Sequence, residues 1–172
     1  MKRLALAATA IVSLCFASCD KDSDNDLDLN LTDRQFVMMT SMGNTAEINA
    51  GNIAYNKATD QEVKMFGQMM VQEHTVAQNE LKGIASQLRL HAPETLDSMH
   101  LAMANMLMAA PVGFQFDSMY IHSQVMDHQQ TIALFQNEIE NGSHPWLVRY
   151  AEKYLPKIQM HHHMADSIAQ RF

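Results

Sequence analysis

Four stretches of the chain repeat one pattern, an apolar or small residue at steps of three and four, the spacing that keeps side chains on one face of a helix. Between Phe114 and Asn141 the seam is Ile121, Val125, His128, Ile132, Phe135 and Ile139. From Val63 it runs Gly67, Met70, His74, Ala77, Leu81, Ile84 and Leu88, and from Leu147 it runs Ala151, Tyr154, Ile158, His161, Ala165, Ile168 and Phe172. The remaining seam, Phe36, Thr40, Gly43, Glu47, Ala50 and Ala54, carries a glutamate where the others carry a histidine. Each helix is therefore expected to aim one metal-ligating or hydrogen-bonding group inward near its middle.

Local signals punctuate the same segments. Thr32-Asp33-Arg34-Gln35 reads as a capping box opening the first helix, with Leu31 placed to staple against Phe36. That helix is expected to run to Lys57, and Thr59-Asp60-Gln61-Glu62 reads as a second capping box. So short a connection makes the first two helices antiparallel neighbours. The second helix continues to Arg89, where Ala92-Pro93 breaks it, and residues Glu94 to Met108 predict a shorter crossing helix closed by Pro111 and Gly113. The third long helix stops at Asn141-Gly142, and Ser143 with Pro145 starts the fourth. Pro156 removes a backbone donor inside it and predicts a kink or break near Tyr154–Leu155. No segment has a strand pattern, so the expected class is all-α: an antiparallel four-helix bundle over residues 32–172, with a crossing helix between helices two and three.

The N-terminus reads differently. Lys2 and Arg3 precede an apolar run from Leu4 to Leu14, too short to span a bilayer but suited to a secretory signal. Phe16-Ala17-Ser18-Cys19 resembles a bacterial lipobox, in which cleavage before the cysteine leaves it as the lipidated first residue; a plain signal with an incidental cysteine is the alternative. The expected organisation is a signal over 1–18, an acidic tether over 19–31 that begins at lipidated Cys19, and the bundle. Cys15 leaves with the signal, so acylation of Cys19 leaves no thiol for a disulfide. Asp20, Asp22, Asp24, Asp26 and Asp28 alternate with Lys21, Ser23, Asn25 and Leu27, a composition that stays solvated. The run resembles the acidic segment behind the lipidated cysteine of some surface-exposed Gram-negative lipoproteins. The expected location is the cell envelope, at the outer membrane, periplasmic or surface-exposed. A calcium loop beginning at Asp22 fits less well, because Leu27 stands where such a loop needs glycine and no helix precedes it.

Loss of Lys2 and Arg3 leaves 10 basic against 19 acidic residues. A chain this acidic, without a basic cluster, lacks the means to neutralise phosphates, which argues against nucleic-acid binding. There is no nucleophile-elbow serine and no phosphate-cradling glycine loop.

Helix rise tests whether the four inward groups meet. Glu47 and His74, counted from the first tight turn, differ in height by roughly 6 Å, and His128 and His161, counted from Gly142, by roughly 7 Å. Side chains can close part of such gaps. A buried, unpaired imidazole costs about 1–3 kcal/mol, so three of them call for partners. Two kinds fit: a zinc, copper or iron ion held by Glu47, His74, His128 and His161, or a metal-free network recruiting Glu73, Asp127, Tyr120 or water.

Several pieces together resemble a known family: Ala46-Glu47-Ile48-Asn49-Ala50-Gly51, Met70-Val71-Gln72-Glu73-His74-Thr75, Phe116-Asp117-Ser118-Met119-Tyr120-Ile121, Asp127-His128, and Leu155-Pro156 followed by His161. They are similar to a bacterial family of ferritin-like helical bundles known as domain of unknown function four-one-four-two, over about Thr32 to Ile168. The resemblance implies the bundle fold, an envelope location and the pattern Glu47, His74, His128 and His161, with no settled activity. Di-iron ferritins use a glutamate from each of two helices and Glu-x-x-His from the other two; this chain has one inward glutamate and no such pair at His74 or His161.

Fourteen methionines remain after processing. Met99, Met103, Met106 and Met108 accompany His100 on the crossing helix, while Met160 and Met164 bracket His161, His162 and His163. Thioethers with imidazoles suit cuprous or silver ions, but methionine also fills cores. The spacing places Met70, Met103 and Met106 in the core and His162 and His163 in solvent, with Trp146 anchoring the bundle end. The leading expectation is a lipid-anchored envelope protein with a non-enzymatic binding or envelope-maintenance role around the buried histidines. The alternatives are a metal-dependent redox enzyme, a methionine- and histidine-rich copper or silver binder, or a metal-free structural or partner-binding module.

Overall fold

The computed structural model describes residues 29–172; the signal, Cys19 and the acidic run to Asp28 lie outside the described residues. The helices are α1 (Leu31–Lys57), α2 (Gln61–Gln87), α3 (Ser98–Ala109), α4 (Phe114–Asn141) and α5 (Pro145–Ala169), and no strand occurs among the described residues. α1 packs on α2 and α4 on α5 as two hairpins, which meet through α1 with α4 and α2 with α5, while α3 lies against α1 and α4. The all-α expectation therefore holds, with the short helix between the hairpins.

Helix starts are where the sequence signals shift. The first capping box is built by Asn30 and Asp33: the Asn30 side chain accepts from the Asp33 amide at 2.9 Å and the Asp33 carboxylate accepts from the Asn30 amide at 2.8 Å. Leu31 is 69 % exposed rather than stapled, and Leu29 packs against the core instead. Asp60, not Thr59, caps α2, accepting from the amides of Glu62 and Val63. α3 begins at Ser98, not Glu94, because Asp97 caps it through the His100 amide. His144 precedes Pro145 as the cap of α5. α2 ends with Arg89 in the left-handed region, φ 53°, and the Leu90 amide bonded back to the Ala85 carbonyl at 2.8 Å. α5 runs unbroken through Pro156, whose ring lies on the exposed face where water can serve the freed carbonyl.

The core has two apolar halves. One gathers Ala54, Val63, Phe66, Met70, Leu107, Phe116, Tyr120, Ile121, Ala165 and Ile168; the other gathers Phe36, Val37, Leu81, Phe135, Leu147, Tyr150, Tyr154 and Ile158. Along each long helix the inward histidine or glutamate falls between a residue of one half and a residue of the other. The polar groups thus form a layer across the middle of the bundle. Between α1 and α2 the backbones approach closely: a Cβ on Gly51 would lie 2.7 Å from the Gly67 carbonyl oxygen, and one on Gly67 would lie 2.9 Å from the Gly51 oxygen.

Each hairpin turn is held by an aspartate from the other hairpin. Asp117, in the first turn of α4, accepts from the Thr59 hydroxyl at 2.6 Å and the Asp60 amide at 2.9 Å in the α1–α2 turn. Asp33, in the first turn of α1, accepts from the Ser143 hydroxyl at 2.6 Å and from the amides of Ser143 and His144 at 3.1 and 3.0 Å in the α4–α5 turn.

Candidate metal centre

The central layer brings together His74 of α2, His128 of α4 and His161 of α5, all buried, with a ligating nitrogen from each within 4.8 Å of the others. Ring centroids are 5.9 Å apart for His74 and His128, 5.7 Å for His74 and His161, and 5.5 Å for His128 and His161. The height mismatch estimated from helix rise is thus absorbed by packing and side-chain reach.

Hydrogen bonds outside the cluster fix which nitrogen of two rings faces inward. The Pro93 carbonyl can only accept, so the Ser41 hydroxyl donates to it at 2.8 Å. Ser41 then accepts from the Gln78 amide nitrogen at 2.7 Å, and Gln78 accepts from Asn44 Nδ2 at 3.2 Å. That leaves Asn44 Oδ1 to accept from His74 Nδ1 at 2.8 Å, so the His74 proton sits on Nδ1 and Nε2 bears a lone pair. His128 Nδ1 likewise donates to the Gln124 backbone carbonyl at 2.9 Å, leaving its Nε2 as the lone-pair nitrogen. Nε2 of His74, Nε2 of His128 and both ring nitrogens of His161 have no hydrogen-bond partner among the described residues.

All three imidazoles are held neutral. Burial pushes His74 well below its ordinary value, with His128 and His161 adding to the effect, and takes His128 down to about 3. His161 is lowered by burial against the opposing charge of Glu73, whose Oε2 lies 3.4 Å from His161 Nε2 without hydrogen-bond alignment. Lys157 Nζ holds the same Glu73 oxygen at 3.1 Å.

Glu47 stands outside the three-histidine cluster. Its Oε1 is 3.7 Å from His128 Nδ1, the ring nitrogen already committed to Gln124, and its Oε2 has no partner. Burial raises its carboxyl to about 8, the Asp127 carboxylate adding to the shift against a Gln124 hydrogen bond. Tyr120, whose buried hydroxyl is also unpaired, is pushed well above its ordinary value by burial and then by Glu47. Glu47 therefore lies on the far side of His128 from its open nitrogen.

The donor set fits a metal ion. Points within 4.8 Å of one another can share a centre at most about 2.8 Å from each, and zinc–nitrogen bonds are about 2.0–2.1 Å, so shifts of well under 1 Å per ring close the shell. Neutral imidazoles with inward lone pairs are the form a metal takes, and an acceptor on the other ring nitrogen is the usual support for such a ligand. Among the described residues the three rings make no hydrogen bond to one another, and of the groups a metal-free network would recruit, Glu73 stands 3.4 Å from His161 Nε2. No carboxylate belongs to the cluster, so among the described residues it lacks the glutamates of a di-iron site.

Asn44, Gln78 and Ser41 escaped the sequence reading. Asn44 lies one helical turn before Glu47, and Gln78 one turn after His74, on buried faces where polar residues need partners; that was the available signal. Of the methionines, Met70 is buried and Met103 packs against the core, whereas Met106 is 49 % exposed. His163 is exposed and His162 partly so, and Trp146 covers His144 at the bundle end.

The profile of a family described as a domain of unknown function, DUF4142, matches residues 20–168. The crystal structure of a DUF305 fragment from Deinococcus radiodurans is similar with a TM-score of 0.73, covering 84 % of this chain and 99 % of that one at 12 % identity. That likeness is one of fold. No curated protein matches the chain.

Proposed function

Because the chain belongs to the DUF4142 family, whose description assigns no activity, the central layer must carry the functional reading, and we propose that the bundle is a metal-binding module of a lipid-anchored envelope protein. His74, His128 and His161 hold one zinc, copper or iron ion, and Glu47 braces His128 from behind. The observation that carries this is the convergence of three buried imidazoles, of which His74 and His128 turn an unpartnered Nε2 inward while Glu73 stands 3.4 Å from His161 Nε2. The role is binding rather than turnover. Bound, the ion would supply Lewis-acid or redox character; the chain itself supplies the preset tautomers of His74 and His128.

The envelope location and the anchor rest on the Cys19 lipobox and the preceding apolar run. No helix among the described residues is long and apolar enough to cross a membrane, so attachment falls to the lipid. Fatty-acid labelling of cells should mark the protein and fail on Cys19→Ser.

The metal reading is tested by elemental analysis of untagged protein, as isolated and after exposure to zinc, copper and iron salts. One ion per chain is expected, lost from the His74→Ala/His128→Ala variant while circular dichroism still reports a helical bundle. Undiminished metal in that variant, or none in the parent under any condition, would overturn the assignment.

A further inference from the structure

A small cavity of about 10 Å³, partly open to the surface, lies between α2 and α5. Its inner wall includes two histidines of the cluster, His74 and His161, with Asn44 and Tyr150, and its outer wall carries Glu73 and Lys157. Exposure rises in the same direction: the His161 side chain is 3 % exposed, that of Glu73 29 % and that of Lys157 50 %. The cavity beneath α3, lined by Glu47, His100 and Asp127, reaches none of the three histidines. Of the two, the α2–α5 seam gives solvent the shorter way to the cluster.

Glu73 spans that way. One oxygen, Oε2, accepts from Lys157 Nζ at 3.1 Å on the solvent side and stands 3.4 Å from His161 Nε2 on the other. An exposed ion pair of this kind is weakly held, and the lysine ammonium rides on a flexible stem. Lys157 thus fills the place on the carboxylate that an incoming cation would take, and can leave it easily. A second acid–base pair on the same seam, Glu80 with Lys153, lies about two helical turns along α2 and is bonded to Tyr154 rather than to a histidine.

We propose that Glu73 is the entry group of the three-histidine centre: its carboxylate exchanges Lys157 for an incoming divalent cation and hands it to His161, from which it passes to all three rings. This route presupposes the ion proposed for His74, His128 and His161 and adds how it arrives. Glu73 belongs to the route and not to the bound shell, because its carboxylate is not within reach of all three rings at once.

Cobalt(II), mixed rapidly with metal-free protein and followed by its absorption in the imidazole shell, gives the uptake rate; transfer from the loaded protein to a chelator gives the release rate. A group on the route alters both rates together, whereas loss of a ligand is felt mainly in release. Glu73→Gln is expected to slow uptake and release alike by roughly tenfold or more, with affinity kept within about threefold. Lys157→Met should speed uptake, and Glu80→Gln should match the parent, with circular dichroism checking that each variant keeps the bundle. Uptake unchanged in Glu73→Gln, no faster in Lys157→Met, or slowed equally in Glu80→Gln overturns the route while metal binding stands. Slowing by Asp127→Asn in place of Glu73→Gln would put entry beneath α3 and overturn it too. A parent that binds no cobalt overturns the metal reading and the route together.

Discussion

The orientation of His74 is decided three side chains away, at a proline carbonyl that can only accept. Because the polarity of each link from Pro93 through Ser41, Gln78 and Asn44 is forced by the one before, Asn44 is a positioning residue for the cluster rather than a ligand. Asn44→Leu removes the acceptor and frees the ring to turn. Zinc affinity should fall by about 10–100-fold with the stoichiometry kept, the scale seen when such supports are lost. A chelator competition that finds the affinity unmoved would show that His74 needs no such support. Glu138 makes a second case in which a single buried group governs behaviour. It lies beside Asp33, and burial, then its hydrogen bond to and charge repulsion from Asp33, raises its carboxyl to about 8. A folded-state value above the unfolded one means the native state holds the proton more tightly. Its stabilising share is full below the ordinary carboxylate range and is lost as pH rises toward 8. Melting temperature should therefore decline from pH 5 to pH 8, and Glu138→Gln should make that decline shallower; Glu47, raised to the same value, keeps it from vanishing. An identical pH profile for the variant would place the titration elsewhere.

Among the elements, the α1–α2 pair depends on two glycines whose backbones touch. Gly51→Ala would press a methyl onto the Gly67 carbonyl, a backbone atom that cannot swing aside. Destabilisation of about 1–3 kcal/mol is expected despite the gain in helix propensity, and thermal melting reads it. A variant as stable as the parent would mean the helices separate at little cost. Periodicity made the four long helices legible, because steps of three and four persist over about five to seven turns in each. It also placed the three histidines inward, since each occupies a seam position. The starts were less legible. Thr32 and Thr59 match the capping pattern, but Asn30 and Asp60 cap instead, and the Thr59 hydroxyl is taken by Asp117 of the other hairpin. Glu47 shows the limit for the site. Seam position told which way it points, not which side of His128 it reaches, a distinction set by the crossing of α1 over α4. Nothing in the pattern of α3 showed that His100 and Asp127 would share a cavity, because that contact joins segments far apart in the chain.

Across the whole molecule, two apolar halves sandwich a polar layer to which, among the described residues, each of the four long helices contributes a buried group that can titrate or ligate. The hairpins alone would each leave a tight turn with unanswered amides, and each receives its answer from the other hairpin's aspartate. That exchange sets the kinetics of the turns as well as their geometry. Turn amides ordinarily swap hydrogen with solvent through small local openings, among the fastest in a fold. Here the amides of Asp60 and His144 can be released only if the two hairpins part. Their exchange should be slow, tracking the rate or free energy of global opening measured for core amides such as those of Tyr120 and Ile158. In hydrogen-exchange mass spectrometry, peptides across both turns should label together with the bundle centre; turns that label ahead of it would mean the clasps yield independently. With the clasps closed, the bundle has no soft end from which to unravel.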